Sequence, residues 1–123
     1  MAKILIVDDD YDFVSGVKTV LESADYEVLT AYSRQEGMEI FEEIKPDLII
    51  LDVMMDEPDD GFTMAQDLKR EHAKAAIMML SSVGKVTGMD YDKDEEMVPV
   101  DAFEEKPIMP NELLNKVKNL LNN

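Results

Sequence analysis

Ile4-Leu5-Ile6-Val7-Asp8-Asp9-Asp10 and Leu48-Ile49-Ile50-Leu51-Asp52 share one form, four unbroken apolar residues closed by carboxylate. An apolar run that does not alternate reads as a strand buried on both faces, as in a parallel sheet with helices on either side. Ile77-Met78-Met79-Leu80, closed by Ser81-Ser82, has the same form. Val28-Leu29 is a shorter version, and Val100 to Glu104 is a weaker fifth candidate. Between these runs the apolar spacing becomes helical. Phe13, Val17, Val20, Leu21 and Ala24 make one stripe; Ile40, Phe41 and Ile44 make a second. Phe62, Ala65 and Leu68 follow Gly61 as a third, and Leu113, Leu114, Val117, Leu120 and Leu121 form the last. Ser33-Arg34-Gln35-Glu36 reads as a capping box opening the second helix, and Lys45-Pro46 stops it. Pro110 suits the first turn of the last helix, where its missing N–H costs nothing.

Strands alternating with helices imply right-handed crossovers. The expected fold is α/β: a doubly wound, five-stranded parallel sheet of flavodoxin-like order 2-1-3-4-5, with helices on both faces. Residues 84–99 hold two glycines, Pro99 and the acidic run Asp90 to Glu96, with no helical stripe. The fourth helix is therefore expected to be short or irregular. A chain of 123 residues suits a single domain, 1–123, and 46% hydrophobic content is enough for a core.

Twelve Lys and Arg against 28 Asp and Glu leave a net charge of −16. Such a surface repels nucleic-acid backbones and anionic lipid, and attracts metal ions and basic protein patches. Cysteine is absent and His72 is the only histidine, which excludes thiolate chemistry, histidine triads and multi-histidine metal sites. Met1-Ala2-Lys3-Ile4 lacks the pattern of a secretion signal, and no apolar run approaches bilayer-spanning length, so a cytoplasmic location is expected.

Ligands of an open parallel sheet bind beyond the carboxyl ends of the strands where the strand order reverses, here between the first and third strands. Asp8, Asp9 and Asp10 would meet Asp52 there. Three or four converging carboxylates repel one another and are costly to desolvate, so a hard cation is the natural resolution. Mg²⁺ suits the site because it accepts one or two carboxylates and keeps positions for a phosphoryl ligand. The fourth strand brings Ser81 to the same edge and the fifth brings Lys106. Hydroxyl, ammonium and metal can clamp the oxygens of a transferring phosphoryl group, with a central carboxylate as nucleophile. Taken singly, an Asp run is a solvated turn and Lys-Pro a connector. Four strand ends with complementary groups at one edge form a far rarer coincidence.

With these motifs in view (Val7-Asp8-Asp9-Asp10, Pro46-Asp47 through Asp52, Gly61-Phe62, Met79 through Ser82, Phe103 through Pro107), the sequence resembles the response-regulator receiver domains of two-component signalling, the CheY-like fold. The resemblance covers nearly the whole chain. It implies Asp52 as phosphoacceptor, Asp9 as a direct Mg²⁺ ligand, Asp8 acting largely through water, and the Met54 carbonyl completing the ligand set. Ser81 and Lys106 would each bind a phosphoryl oxygen. Phe103 matches the family's switch aromatic, or is simply a core aromatic at a strand end. Met54 and Val83 would flank the approach of hydrolytic water, and their apolar side chains imply a slowly lost phosphoryl group. The implied partners are a sensor histidine kinase or phosphotransfer protein, and a downstream target reached by protein contact. Nucleic acid and membrane are not expected partners, nor is turnover catalysis beyond the chain's own modification.

Two departures stand out. Asp56 occupies a position where the family favours proline, with one extra residue before Gly61, and the stretch from Ser81 to Lys106 is slightly long. A phosphohydrolase with an aspartyl-phosphate intermediate would need a cap element that this length does not supply. Asp56–Gly61 and Asp90–Asp94 are poor calcium loops, since Pro58 takes a ligand position in one and the other lacks the turn glycine. The alternative that remains is a receiver-like module binding partners without phosphorylation.

Overall fold

The apolar runs become the centre of a parallel sheet. In the computed structural model, β1 is Lys3–Val7, β2 Glu27–Ala31, β3 Leu48–Asp52, β4 Ala76–Ser81 and β5 Ala102–Glu105. Their order is β2-β1-β3-β4-β5. The structure describes residues 2–52, 60–70, 74–81, 101–105 and 108–121, and its helices are α1 (Tyr11–Ser23), α2 (Arg34–Ile44), α3 (Asp60–Arg70) and α4 (Pro110–Leu121). This is the expected flavodoxin-like α/β arrangement. The expected irregular helix within 84–99 lies outside the described residues, as do Met54, Val83 and Lys106.

Side chains alternate across a strand, and here the alternation divides the interior into two cores. Leu5, Val7, Ile49, Leu51, Ile77 and Met79 face Phe41 of α2 and Met64, Ala65 and Leu68 of α3. Ile4, Ile6, Leu48, Ile50, Met78 and Leu80 face Val14, Val17 and Leu21 of α1 and Leu113 and Val117 of α4. The helical stripes need small corrections. Val14 and Met64 are core residues that the spacing did not single out, while Ala24 is the exposed C-cap of α1. β2 is only partly buried because it is an edge strand. The capping box forms with a shift: Glu36 N–H donates to Ser33 Oγ at 3.1 Å, but the Glu36 carboxylate accepts from Tyr32 N–H, not from that of Ser33.

The amino edge of the sheet is fixed by one device used twice. Asp47 N–H donates to the Lys3 carbonyl while Lys3 N–H donates to the Asp47 carboxylate, both at 2.8 Å. Asp101 and Ile77 repeat this, backbone to carbonyl and Ile77 N–H to carboxylate, again at 2.8 Å. The short β5 thereby enters the sheet in a defined register, with Met78 opposite Ala102.

Lys45, the C-cap of α2, has φ 54° and ψ 69°. A left-handed conformation costs an L-residue roughly 1–2 kcal/mol, and the following Pro46 further restricts this position. Glycine escapes most of that cost at the expense of some unfolded-state entropy. Lys45→Gly should therefore stabilise the fold by about 1 kcal/mol, read as a higher urea midpoint with unchanged slope. A lower midpoint would show that the lysine side chain contributes more than its backbone costs.

Candidate phosphoacceptor and metal site

β1 and β3 are neighbours at the middle of the sheet, and both point their carboxyl ends at the same edge. Asp8 follows the last residue of β1, and Asp52 is the last residue of β3. Asp8 N–H donates to the Ala31 carbonyl at 3.1 Å, continuing the ladder to β2. The chain then turns sharply into α1. Asp8, Asp9 and Asp52 can each present a carboxylate oxygen so that all three lie within 4.8 Å of one another. Asp8 is 1% exposed and Asp52 6%, the two buried charged residues among those described, whereas Asp9 is open to solvent.

A purely oxygen donor set, half hidden from water and of one charge sign, fits a small hard cation such as Mg²⁺. Burial makes mutual repulsion costly, and the exposed Asp9 gives an ion a way in. Three of the carboxylates expected at this edge are together. Asp10, the fourth, is not among them: it is the N-cap of α1, its side chain accepting from Phe13 N–H at 3.1 Å. Ser81 closes β4 at the same edge, its backbone in register with Glu105, and Phe103 stands opposite Met79.

One contact at this edge has no counterpart in the sequence reading. Tyr11, the first residue of α1, stacks on Tyr32 in the turn between β2 and α2, with ring centroids 4.2 Å apart and planes 26° from parallel. Tyr11 is 66% exposed. The signal available was positional: each tyrosine lies just beyond a carboxyl strand end, and the two strands are adjacent.

A parallel sheet of this order with a carboxylate cluster at its reversal point defines a class. The model of the response regulator receiver domain matches residues 4–118, and the chain belongs to that family. Receiver domains are signalling modules and not turnover enzymes. A probable transcriptional regulator ycf27 of Cyanophora paradoxa is 35% identical over 97% of this chain but only 48% of its own length. The chain thus spans about half the length of the curated relatives it matches. Among solved structures, a CheY-like receiver domain protein from Methanospirillum hungatei has a TM-score of 0.87 at 26% identity, covering 99% of this chain and 94% of its own. A putative response regulator from Chloroflexus aurantiacus gives 0.87 at 30%, covering 99% and 98%. Among the described residues, no helix is long and apolar enough to cross a membrane.

Proposed function

We propose that the chain is a phosphoacceptor switch of a two-component system, with Asp52 accepting a phosphoryl group from a histidine kinase or phosphotransfer protein. The observation that carries this is the buried Asp52 carboxylate beside Asp8 and Asp9, all within 4.8 Å, at the carboxyl edge of the sheet. Asp8, Asp9 and Asp52 would hold Mg²⁺, with the Met54 carbonyl, and the bound ion would neutralise charge on the carboxylates and the incoming phosphoryl oxygens.

One Asp52 carboxylate oxygen attacks phosphorus in line. The O–P bond forms as the N–P bond to the donor imidazole breaks, and the bonding pair returns to that ring nitrogen. A proton on the other ring nitrogen lets the donor leave as neutral histidine. Ser81 and Lys106 each bind one phosphoryl oxygen in this reading, Ser81 by its hydroxyl and Lys106 by its ammonium. Burial of Asp52 limits water as a competing nucleophile. The modified state then shifts the populations of two conformations, and output passes in the cytoplasm by contact with a target protein. The net charge of −16 favours a basic partner over nucleic acid or anionic membrane.

Intact-mass measurement after incubation with acetyl phosphate tests this. Wild type should gain the mass of one phosphoryl group with Mg²⁺ and none in chelator, and Asp52→Ala should gain none in either. Unmodified wild type in the presence of Mg²⁺ would sink the proposal and leave the phosphorylation-independent binding module.

A further inference from the structure

The third carboxylate of the Asp8-Asp9-Asp10 run is turned away from the cluster, and its role is built from two hydrogen bonds. Asp10 N–H donates to Asp8 Oδ1 at 2.9 Å. The Asp10 side chain accepts from Phe13 N–H at 3.1 Å, with Asp10 at φ −90° and ψ 99°, the extended backbone of an N-cap. The cap fixes the backbone at residue 10, and that backbone fixes the direction of the amide aimed at Asp8. From these bonds we infer that Asp10 is a positioning residue: by capping α1 it orients the Asp8 carboxylate within the Asp8–Asp9–Asp52 cluster. The inference rests on the proposed Mg²⁺ site.

The physical argument is one of constraint. A carboxylate on a free side chain rotates about two bonds, and Asp8 is the most buried member of the cluster. One of its oxygens is engaged by the Asp10 amide, which restricts the rotation of the carboxylate and therefore where the second oxygen can lie. Outer groups of this kind typically change metal affinity by roughly tenfold to a hundredfold when lost. The turn is braced on its other side as well, because Tyr11, the next residue, stacks on Tyr32. Tyr32 N–H in turn donates to Glu36 at 2.8 Å. The helix cap and the ring stack thus hold residues 10 and 11 from two directions.

The test compares variants that all lose the same charge. Asn and Ser cap helices as Asp does, whereas Ala does not. Mg²⁺ dissociation constants are measured by calorimetry on wild type, Asp10→Asn, Asp10→Ser and Asp10→Ala. A purely electrostatic contribution from Asp10 weakens all three variants equally. Positioning through the cap leaves Asn and Ser alike and makes Ala weaker than either by about tenfold. Asp10→Gly guards against loss of the fold, since glycine is tolerated at N-caps but has no side-chain acceptor; it should bind Mg²⁺ as weakly as Ala. Equal affinities for Ala, Gly, Asn and Ser overturn the inference while leaving the Mg²⁺ site intact. Wild type that binds no Mg²⁺ overturns both. A lower melting temperature for Ala with unchanged affinity shows the cap to be structural only, and that too overturns it.

Discussion

In Mg²⁺-free buffer, Asp52→Asn should unfold at a higher urea concentration than wild type, with a gain of about 2 kcal/mol. Three carboxylates with oxygens within 4.8 Å of one another include two that are buried. At that separation a pair of like charges costs on the order of 3 kcal/mol at an effective dielectric of about 20. Asparagine keeps the shape and one acceptor oxygen of the side chain and removes the charge, so most of the repulsion involving position 52 disappears. The ordering should change with Mg²⁺. Ligand binding stabilises the native state by roughly 2.7 kcal/mol at a hundredfold excess over the dissociation constant. Wild type collects that gain in full, and the variant, with one ligand neutralised, collects less. The measurement is a pair of denaturation curves for each protein, in chelator and in Mg²⁺. If Asp52→Asn is no more stable than wild type in chelator, the cluster is not under the electrostatic strain described.

Gly37→Val should cost about 3 kcal/mol or more, and Gly37→Ala about 1. A Cβ at position 37 would lie 2.9 Å from Met64 Cε, 2.9 Å from Val7 Cγ2 and 3.1 Å from Val7 Cγ1. The Met64 terminus can swing aside, since its side chain is long and unbranched. Val7 cannot: it is fully buried in β1, and its β-branch leaves little freedom at χ1. Alanine gains about 1 kcal/mol of helix propensity over glycine, which offsets part of the overpacking, so only valine shows nearly the full cost. Val7 is also the residue before Asp8, so the displacement reaches the site, and Mg²⁺ affinity should fall with stability. A Gly37→Ala protein more stable than wild type would mean that α2 can move away from β1 at little cost.

The central strands were legible because burial on both faces leaves the simplest of sequence patterns. β1, β3 and β4 are unbroken apolar runs, and their closing carboxylates and hydroxyl mark the edge where Asp8, Asp9 and Asp52 meet. Position in the sheet decides what remains faint. β2 and β5 have a neighbour on one side only, so fewer of their side chains must be apolar, and β5 is held partly through polar Asp101. Val14 of α1 and Met64 of α3 each sit one residue beside a stripe position, Phe13 and Ala65, and a helical face is wide enough to bury both neighbours, so a single stripe understates the core. Asp10 reads from the sequence as one of an acidic run because charge is visible in a sequence and direction is not. Its place directly before the first helical residue was the available sign of a cap. The Tyr11–Tyr32 stack joins residues from two turns, and no local pattern encodes a contact between them.

Asp47 and Asp101 do their work at the amino edge, a strand's length of roughly 16 Å from Asp52, and this separation bears on how such a chain can change over generations. Strand alignment is decided at the edge where no chemistry is expected. The opposite edge is thereby released from the task of keeping the sheet in order. A sequence change after Asp52 or after Ser81 need not shift Leu48 from Ala76 or Met78 from Ala102, because those registers are held at the amino edge. Selection can rewrite the residues that follow these strand ends while inheriting the same framework. The departures from the family pattern begin directly after Asp52 and Ser81, the residues that close β3 and β4 at the carboxyl edge.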